Sequence, residues 1–464
     1  MTLLQFLRQA RQVHLQFLSG ALPESPIYVL GNPSADLDSI ISAIVYSYCA
    51  NNRLPSTTPR LHVPVLNLPT VPAGPELYRL RPEFVTALHR ATNFPALKHE
   101  AFANSSESAG KLLREHIVTV ADFAQSLKER PISNQLLADA TLVDWNAMPD
   151  RAKDQHGRGL LAGLGNVSFR VVGCIDHHVD EHFVPQPDSL PDNQPKIIQP
   201  GPGSCASLIV SEMEKRGLWT ADATASEIAQ VAKLALAPVL IDTSNLQAEG
   251  KVTDVDIRAV QFLLRQVASA GEASSAWDAE AFYEEILTAK KNSLDLLTLD
   301  EVLDRDYKDW TETSQVSGQK IKLGFCSSVK PIRWIVEKAG GPQKFVDAVR
   351  SFARQEDKGL DVIVVMTSFT SGDDQFAREL FITASAEKDV AVDGVRAFIA
   401  QSTSELDLVE WSALDGESVD VAQDQIQSAL AADSGPWQRL WVQKNTKASR
   451  KQVAPLLRSA VATL

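Results

Sequence analysis

Apolar residues fall at helical spacing near the start of the chain, where Leu3, Phe6, Leu7, Ala10 and Val13 line one face beside Arg8 and Arg11. The pattern predicts an amphipathic helix packed on the first domain; a mitochondrial presequence shares its acid-free, basic composition, but no serine-rich stretch accompanies it. The period then changes. Ile27, Tyr28, Val29 and Leu30 form a short run stopped by Gly31-Asn32-Pro33, and a helical pattern follows from Ser39 to Tyr48: strand, loop, helix. Further runs at Thr141 to Val143 and Arg170 to Ile175 predict strands, and patterns over 204–216 and 225–239 predict helices. Strands alternating with helices define an α/β domain with a parallel sheet and flanking helices, whose ligands gather at the carboxyl ends of the strands. The proline-rich stretches 51–75 and 185–202 read as surface loops.

After a helix ending near Gln266, the small polar segment 269–275 reads as a linker between a first domain, 1–268, and a second, 276–464. Strand patterns at 321–326, 361–367 and 379–384 with a helix at 342–355 make the second, smaller domain α/β as well. A length of 464 residues fits this division.

No run of eighteen apolar residues occurs, so no membrane association is expected. Cys49, Cys174, Cys205 and Cys326 lie far apart without a C-x-x-C pair, which suits a reducing, cytoplasmic compartment. The net charge of -13 argues against a general nucleic-acid binder. It is unevenly spread: residues 401–434 hold eight acids and no Lys or Arg, and residues 435–464 hold six Lys or Arg and no acid.

The chemistry-bearing residues close these apolar runs. Asp36 and Asp38 follow the first strand, two carboxylates able to face one cavity and bind hard cations through oxygen. Asp144 follows the second run, and Asp176-His177-His178 the third, where adjacent imidazoles must face different ways. Asp242 closes the apolar segment at Leu240-Ile241 and is read as ending a further strand. Gly203-Ser204-Cys205 reads as a helix N-terminus, where Ser204 either caps the helix or, with the free N–H groups, meets a phosphate oxygen.

In this order the acids and the Asp176-His177-His178 triplet resemble the DHH phosphoesterase family, and the second domain resembles its DHHA2 module, with Asp306 to Trp310 and Ser449-Arg450-Lys451 similar to substrate-binding motifs. The start Gly31-Asn32-Pro33-Ser34-Ala35-Asp36-Leu37-Asp38 resembles the fungal-type cytosolic exopolyphosphatases. The resemblance implies two divalent ions, with Asp144 bridging them, Asp36 completing one site and Asp38, His177 and Asp242 the other. It further implies His178 as a catalytic group beside the reacting phosphate, oriented by Asp176, and Asn32, Ser204, Lys308, Arg378, Arg450 and Lys451 as substrate contacts. Related manganese-dependent pyrophosphatases carry a metal-binding histidine four residues before the first Asp. Here that place holds Asn32, which favours Mg²⁺ over Mn²⁺ or Co²⁺. The expectation is a monomeric, cytoplasmic enzyme that removes terminal orthophosphate from inorganic polyphosphate, with no stable nucleic-acid partner. The alternatives are a pyrophosphatase, a short-oligonucleotide phosphodiesterase and a prune-like interaction protein.

Overall fold

The computed structural model describes all residues except 52–59, 93–105, 130–134, 150–156, 193, 220–222, 272–276, 296, 373–374, 386–387, 413–422 and 432–436, so most of the expected linker lies outside the described residues. The chain divides into two compact units, Met1–Ser293 and Leu294–Leu464.

In the first unit, strands β1 (Ile27–Leu30), β2 (His62–Val65), β3 (Leu136–Val143) and β5 (Val167–Asp176) form a parallel sheet in the order β2-β1-β3-β5. On β5, the short β4 (Arg158–Gly159) pairs antiparallel and β6 (Lys196–Ile198) parallel. Every residue of β1 is buried, as expected of a parallel strand covered on both faces. The helix Leu37–Ala50 is likewise buried all round, because it packs on β1 and on the helices Cys205–Lys215 and Ala225–Asp242. The first helix, Leu3–Leu18, starts at a Thr2/Gln5 capping box and buries Leu3, Phe6, Leu7, Ala10, His14 and Leu18.

Two expected loops contain strands. β2 lies inside the stretch 51–75 and accommodates Pro64 because it is an edge strand, and β6 lies between Pro195 and Pro200. The boundary also falls later than 276. Helix Ala279–Asn292 buries Phe282 and Ile286 in the first unit's core, and Glu285 pairs with Arg90 at 2.9 Å.

The second unit is a mixed six-stranded sheet between two helical layers. Its strands are β7 (Tyr307–Thr313), β8 (Lys320–Ser328), β9 (Val362–Thr367), β12 (Glu379–Ala384), β13 (Leu408–Glu410) and β14 (Trp437–Gln443), in the order β13-β14-β12-β9-β8-β7, with only β8 and β9 parallel. A hairpin of β10 (Phe369–Thr370) and β11 (Phe376–Ala377) stands apart. The two-residue period of β9 shows how one strand serves both layers. Val362, Val364 and Met366 pack toward helices Asp389–Leu406 and Arg450–Ala462, while Ile363 and Val365 pack toward Ile332–Ala339 and Pro342–Ala353. Among the described residues, no helix is long and apolar enough to cross a membrane.

Candidate metal centre

The centre is assembled by loops at the carboxyl ends of β1, β3 and β5. At Gly31 a Cβ would stand 2.7 Å from the Ser39 Cβ and 3.0 Å from its carbonyl oxygen, so only glycine lets the β1 loop pass against the next helix. The loop is pinned by buried Arg81, whose Nε donates to the Ala35 carbonyl (2.8 Å) and Nη2 to that of Ser34 (2.5 Å). Asp36 caps the helix by accepting from the Ser39 N–H (3.0 Å), which places Asp38 in its first turn.

Asp144 lies at the middle of the hydrogen-bond network. Its backbone is left-handed (φ 54°), a conformation that a non-glycine residue holds only where the surroundings fix it. Here the Asp144 N–H donates to the Ile175 carbonyl (3.0 Å), while Oδ2 accepts from Ser39 Oγ (2.6 Å) and Asn32 Nδ2 (2.8 Å). Oδ1 faces His177 Nε2 at 3.1 Å. His177 Nδ1 donates to the Pro202 carbonyl at 2.8 Å, which fixes the tautomer and leaves the Nε2 lone pair toward Asp144. His178 Nδ1 meets Asp176 Oδ1 at 2.7 Å and lies 3.5 Å from Asp144 Oδ1. Asn146 satisfies the other Asp176 oxygen (2.5 Å), donates to the Val179 carbonyl (2.9 Å) and accepts from the Glu181 N–H (2.8 Å), tying the β3 loop to the β5 loop.

Asp38 sits at the N-terminus of helix Cys205–Lys215. It accepts from the N–H groups of Cys205 (2.7 Å) and Ala206 (3.1 Å) and from Ser204 Oγ (2.9 Å), and its Oδ2 lies 3.9 Å from His177 Nε2. Asp256 takes the N–H groups of Gly203 (3.0 Å) and Ser204 (3.4 Å). This corrects the phosphate site expected at Ser204: protein carboxylates occupy that helix end, and Ser204 Oγ both caps the helix and serves Asp38. Asp242 is also corrected, for it ends the helix Ala225–Asp242 and not a strand. Asn32 is buried with its oxygen accepting from the Ser34 N–H (3.0 Å) and Oγ (2.5 Å). A backbone N–H can only donate, so this orientation is set by the network and turns the amide nitrogen, not its oxygen, toward Asp144.

These groups fit divalent cations. Burial, then the charges of Asp144 and Asp242, raises the Asp38 carboxyl well above its ordinary range. Burial and the charge of Asp36 raise Asp242, although Lys290 and Lys251 oppose them. Crowded carboxylates beside an imidazole lone pair are a donor set that a cation relieves. Asp144, His177 and His178 offer ligand atoms within 4.8 Å of one another. Asp176 is different: burial would raise it, but the hydrogen bond and charge of His178 and the Asn146 hydrogen bond hold it below the usual carboxylate range.

In the second unit, the strand directions put Lys308 (start of β7), Arg378 (before β12) and Arg450 and Lys451 (after β14) at one sheet edge, at the carboxyl ends of β8 and β9. Arg450 is held by Asp306 through Oδ1 (2.7 Å) and the carbonyl (2.8 Å), and by Ser327 Oγ (3.1 Å). Arg378 Nε donates to the Thr446 carbonyl at 2.7 Å. Ser39, Arg81, Asn146 and Asp256 were missed in the sequence; no spacing singles them out, because their partners come from distant loops.

Against this geometry, a DHHA2 domain model matches residues 284–460. A Schizosaccharomyces pombe protein described as "Putative exopolyphosphatase" is 30% identical over 440 residues, covering 94% of this chain and 90% of its own. The chain belongs to the DHH phosphoesterases that carry a DHHA2 domain, in their exopolyphosphatase-like group. Among solved structures it is similar to a Methanococcus jannaschii protein described as a "putative family II inorganic pyrophosphatase" (17% identity, TM-score 0.49, 93% of this chain and 98% of that one). It is also similar to an exopolyphosphatase-related protein from Bacteroides fragilis (12% identity, TM-score 0.35, 97% and 96%).

Proposed function

We propose that the chain is an exopolyphosphatase that releases terminal orthophosphate from inorganic polyphosphate. The observation that carries this reading is Asn32: where a pyrophosphatase of this family would present a metal-binding imidazole, this chain turns an amide N–H onto Asp144, removing a nitrogen ligand. The relative described as "Putative exopolyphosphatase" supports the same substrate class.

In this reading Asp36, Asp38, Asp144, His177 and Asp242 would hold two divalent ions, Mg²⁺ foremost, Asp144 being the ligand whose loss would weaken both. When bound, such ions supply Lewis-acid polarisation of a phosphoryl oxygen and a water more acidic than in bulk. Transfer of the terminal phosphoryl group to water forms one P–O bond and breaks one anhydride P–O bond. For this step Asn32 and Ser39 keep the Asp144 carboxylate in one orientation, and Asp176 keeps His178 so that Nε2 is its nitrogen available to a phosphoryl oxygen. Lys308, Arg450 and Lys451 hold phosphates of the chain. Four free, buried cysteines support a reducing compartment, and we place the enzyme in the cytoplasm.

The test is orthophosphate release from polyphosphates of graded length, beside pyrophosphate and a short RNA, with Mg²⁺ or Mn²⁺. Polyphosphate with Mg²⁺ should turn over fastest, and chelation or Asp144→Asn should abolish activity. Fastest turnover on pyrophosphate or RNA would overturn the substrate; activity surviving chelation would overturn the metal chemistry.

A further inference from the structure

The loop 177–182 carries His178, yet burial of its own side chains does not hold it. Its one apolar residue, Val179, is 68% exposed, and the backbone turns left-handed at His182 (φ 57°) before Phe183 re-enters the core. A side chain from the β3 loop ties it down instead. Asn146, two residues after Asp144 and 3% exposed, donates from Nδ2 to Asp176 Oδ2 (2.5 Å) and to the Val179 carbonyl (2.9 Å), while its Oδ1 accepts from the Glu181 N–H (2.8 Å).

These three bonds use the donors and the acceptor that only an amide combines. A backbone carbonyl can only accept and a backbone N–H only donate, so Val179 and Glu181 fix which way the amide points. Aspartate would keep the acceptor but set a second carboxylate against Asp176, and serine would offer a single donor. The consequence falls on His178. With Oδ2 committed to Asn146, Asp176 turns Oδ1 to His178 and takes both its backbone N–H (3.2 Å) and its Nδ1 (2.7 Å). One buried amide therefore holds the carboxylate that orients the ring and also the backbone on which the ring is mounted. Its own polar atoms are spent within the protein, so it acts through Asp176 and the loop and does not itself meet substrate.

We propose that Asn146 is a positioning residue for phosphoryl transfer, fixing where the His178 imidazole meets the reacting phosphate. The proposal rests on the exopolyphosphatase reading for the identity of that phosphate chain.

The experiment is a double-mutant cycle on the full chain with Mg²⁺, reading kcat and KM on polyphosphate together with bound metal and melting temperature. Asn146→Ala should lower kcat by about tenfold or more, with KM within about twofold and metal content equal to the parent's. In the His178→Ala background the same substitution should lower kcat by less than about twofold, because the ring that it positions is gone. A merely structural role would carry the same factor into both backgrounds, and that result would overturn the proposal. Loss of bound metal, or a change confined to KM, would overturn it as well. Asn146→Asp, which keeps the volume and the acceptor for the Glu181 N–H, takes the place of the alanine variant in the cycle if that variant melts below the assay temperature, and the same outcomes decide. The exopolyphosphatase reading fails separately, if the parent releases phosphate from pyrophosphate and not from polyphosphate; the cycle run on pyrophosphate then still decides the role of Asn146.

Discussion

His177 and His178 are adjacent in sequence, their rings stand perpendicular at 4.7 Å, and they divide their hydrogen bonds differently. His177 gives Nδ1 to a carbonyl and turns Nε2 to Asp144, whereas His178 gives Nδ1 to the Asp176 carboxylate. His177→Ala should therefore lose bound metal, while His178→Ala should keep it and lose turnover by about 10²-fold or more, the scale of a positioned acid–base group. Metal analysis beside steady-state rates decides this; metal lost from the second variant alone would reverse the assignment. The acids and both histidines were legible in the sequence because each closes an apolar run. Asn32 was only half legible. Its position was evident, but the direction of its amide depends on Ser34 and could not be read from composition. Asn146 was invisible for a related reason: an asparagine two residues after Asp144 is ordinary until the 176–181 loop folds onto it.

At the scale of elements, the β1 strand–loop–helix passage was the most legible part of the fold, and it depends on one contact. Gly31→Ala would press a methyl group onto Ser39 Cβ and backbone, and Ser39 holds Asp144, so strain there should reach the metal centre. We expect a loss of about 1–3 kcal/mol in stability together with weaker metal binding. Gly165→Ala is the control, since nothing lies within 4 Å of its added Cβ. Equal melting temperatures and equal metal affinities for the two variants would show that the close approach is not needed. The helix ending at Asp242 was less legible. A run such as Leu240-Ile241 suits a buried strand as well as a buried helix, and only the 18-residue length of the element distinguishes them. The first helix carries its own pH dependence. His14 is buried against Tyr28 (3.1 Å) and Phe123, and burial, then the charge of Arg11, lowers it from 6.5 to about 3. The unfolded chain takes up this proton below pH 6.5 and the folded chain refuses it. Stability is thus full above pH 6.5 and declines as the pH falls toward 3, by about 2 kcal/mol at pH 5. Urea unfolding at pH 7, 6 and 5 should show a shallower decline in His14→Leu than in the parent; the same decline in both would assign the acid sensitivity elsewhere.

Over the whole molecule, a net charge of -13 coexists with a basic C-terminal segment, and the structure gives its cations different work. Arg458 is neutralised by Glu312 and stacks on Trp310 at 5.3 Å, so it belongs to the packing of its helix. Arg450 and Lys451 open that helix, behind the Ser449 cap, at the end where the macrodipole is positive. They gain nothing from the dipole there, and together with the helix N-terminus they favour an anion. A polyphosphate bears about one negative charge per phosphate, so an extended chain should feel this edge more strongly than pyrophosphate, and screening should weaken it. Raising KCl from about 0.05 to 0.5 M shortens the Debye length from roughly 14 to 4 Å and should lower kcat/KM on long polyphosphate by about tenfold, with a smaller fall on pyrophosphate. Replacing Arg450 and Lys451 by Gln should cost about tenfold at low salt, equivalent to about 1.4 kcal/mol, and flatten the salt dependence. Arg458→Ala should leave that dependence unchanged, because it lies about two turns along the helix from the N-terminus that Arg450 and Lys451 open, stacked on Trp310. If the double variant melts like the parent and keeps the parent's salt slope, the basic edge does not attract the chain, and its charges need another explanation.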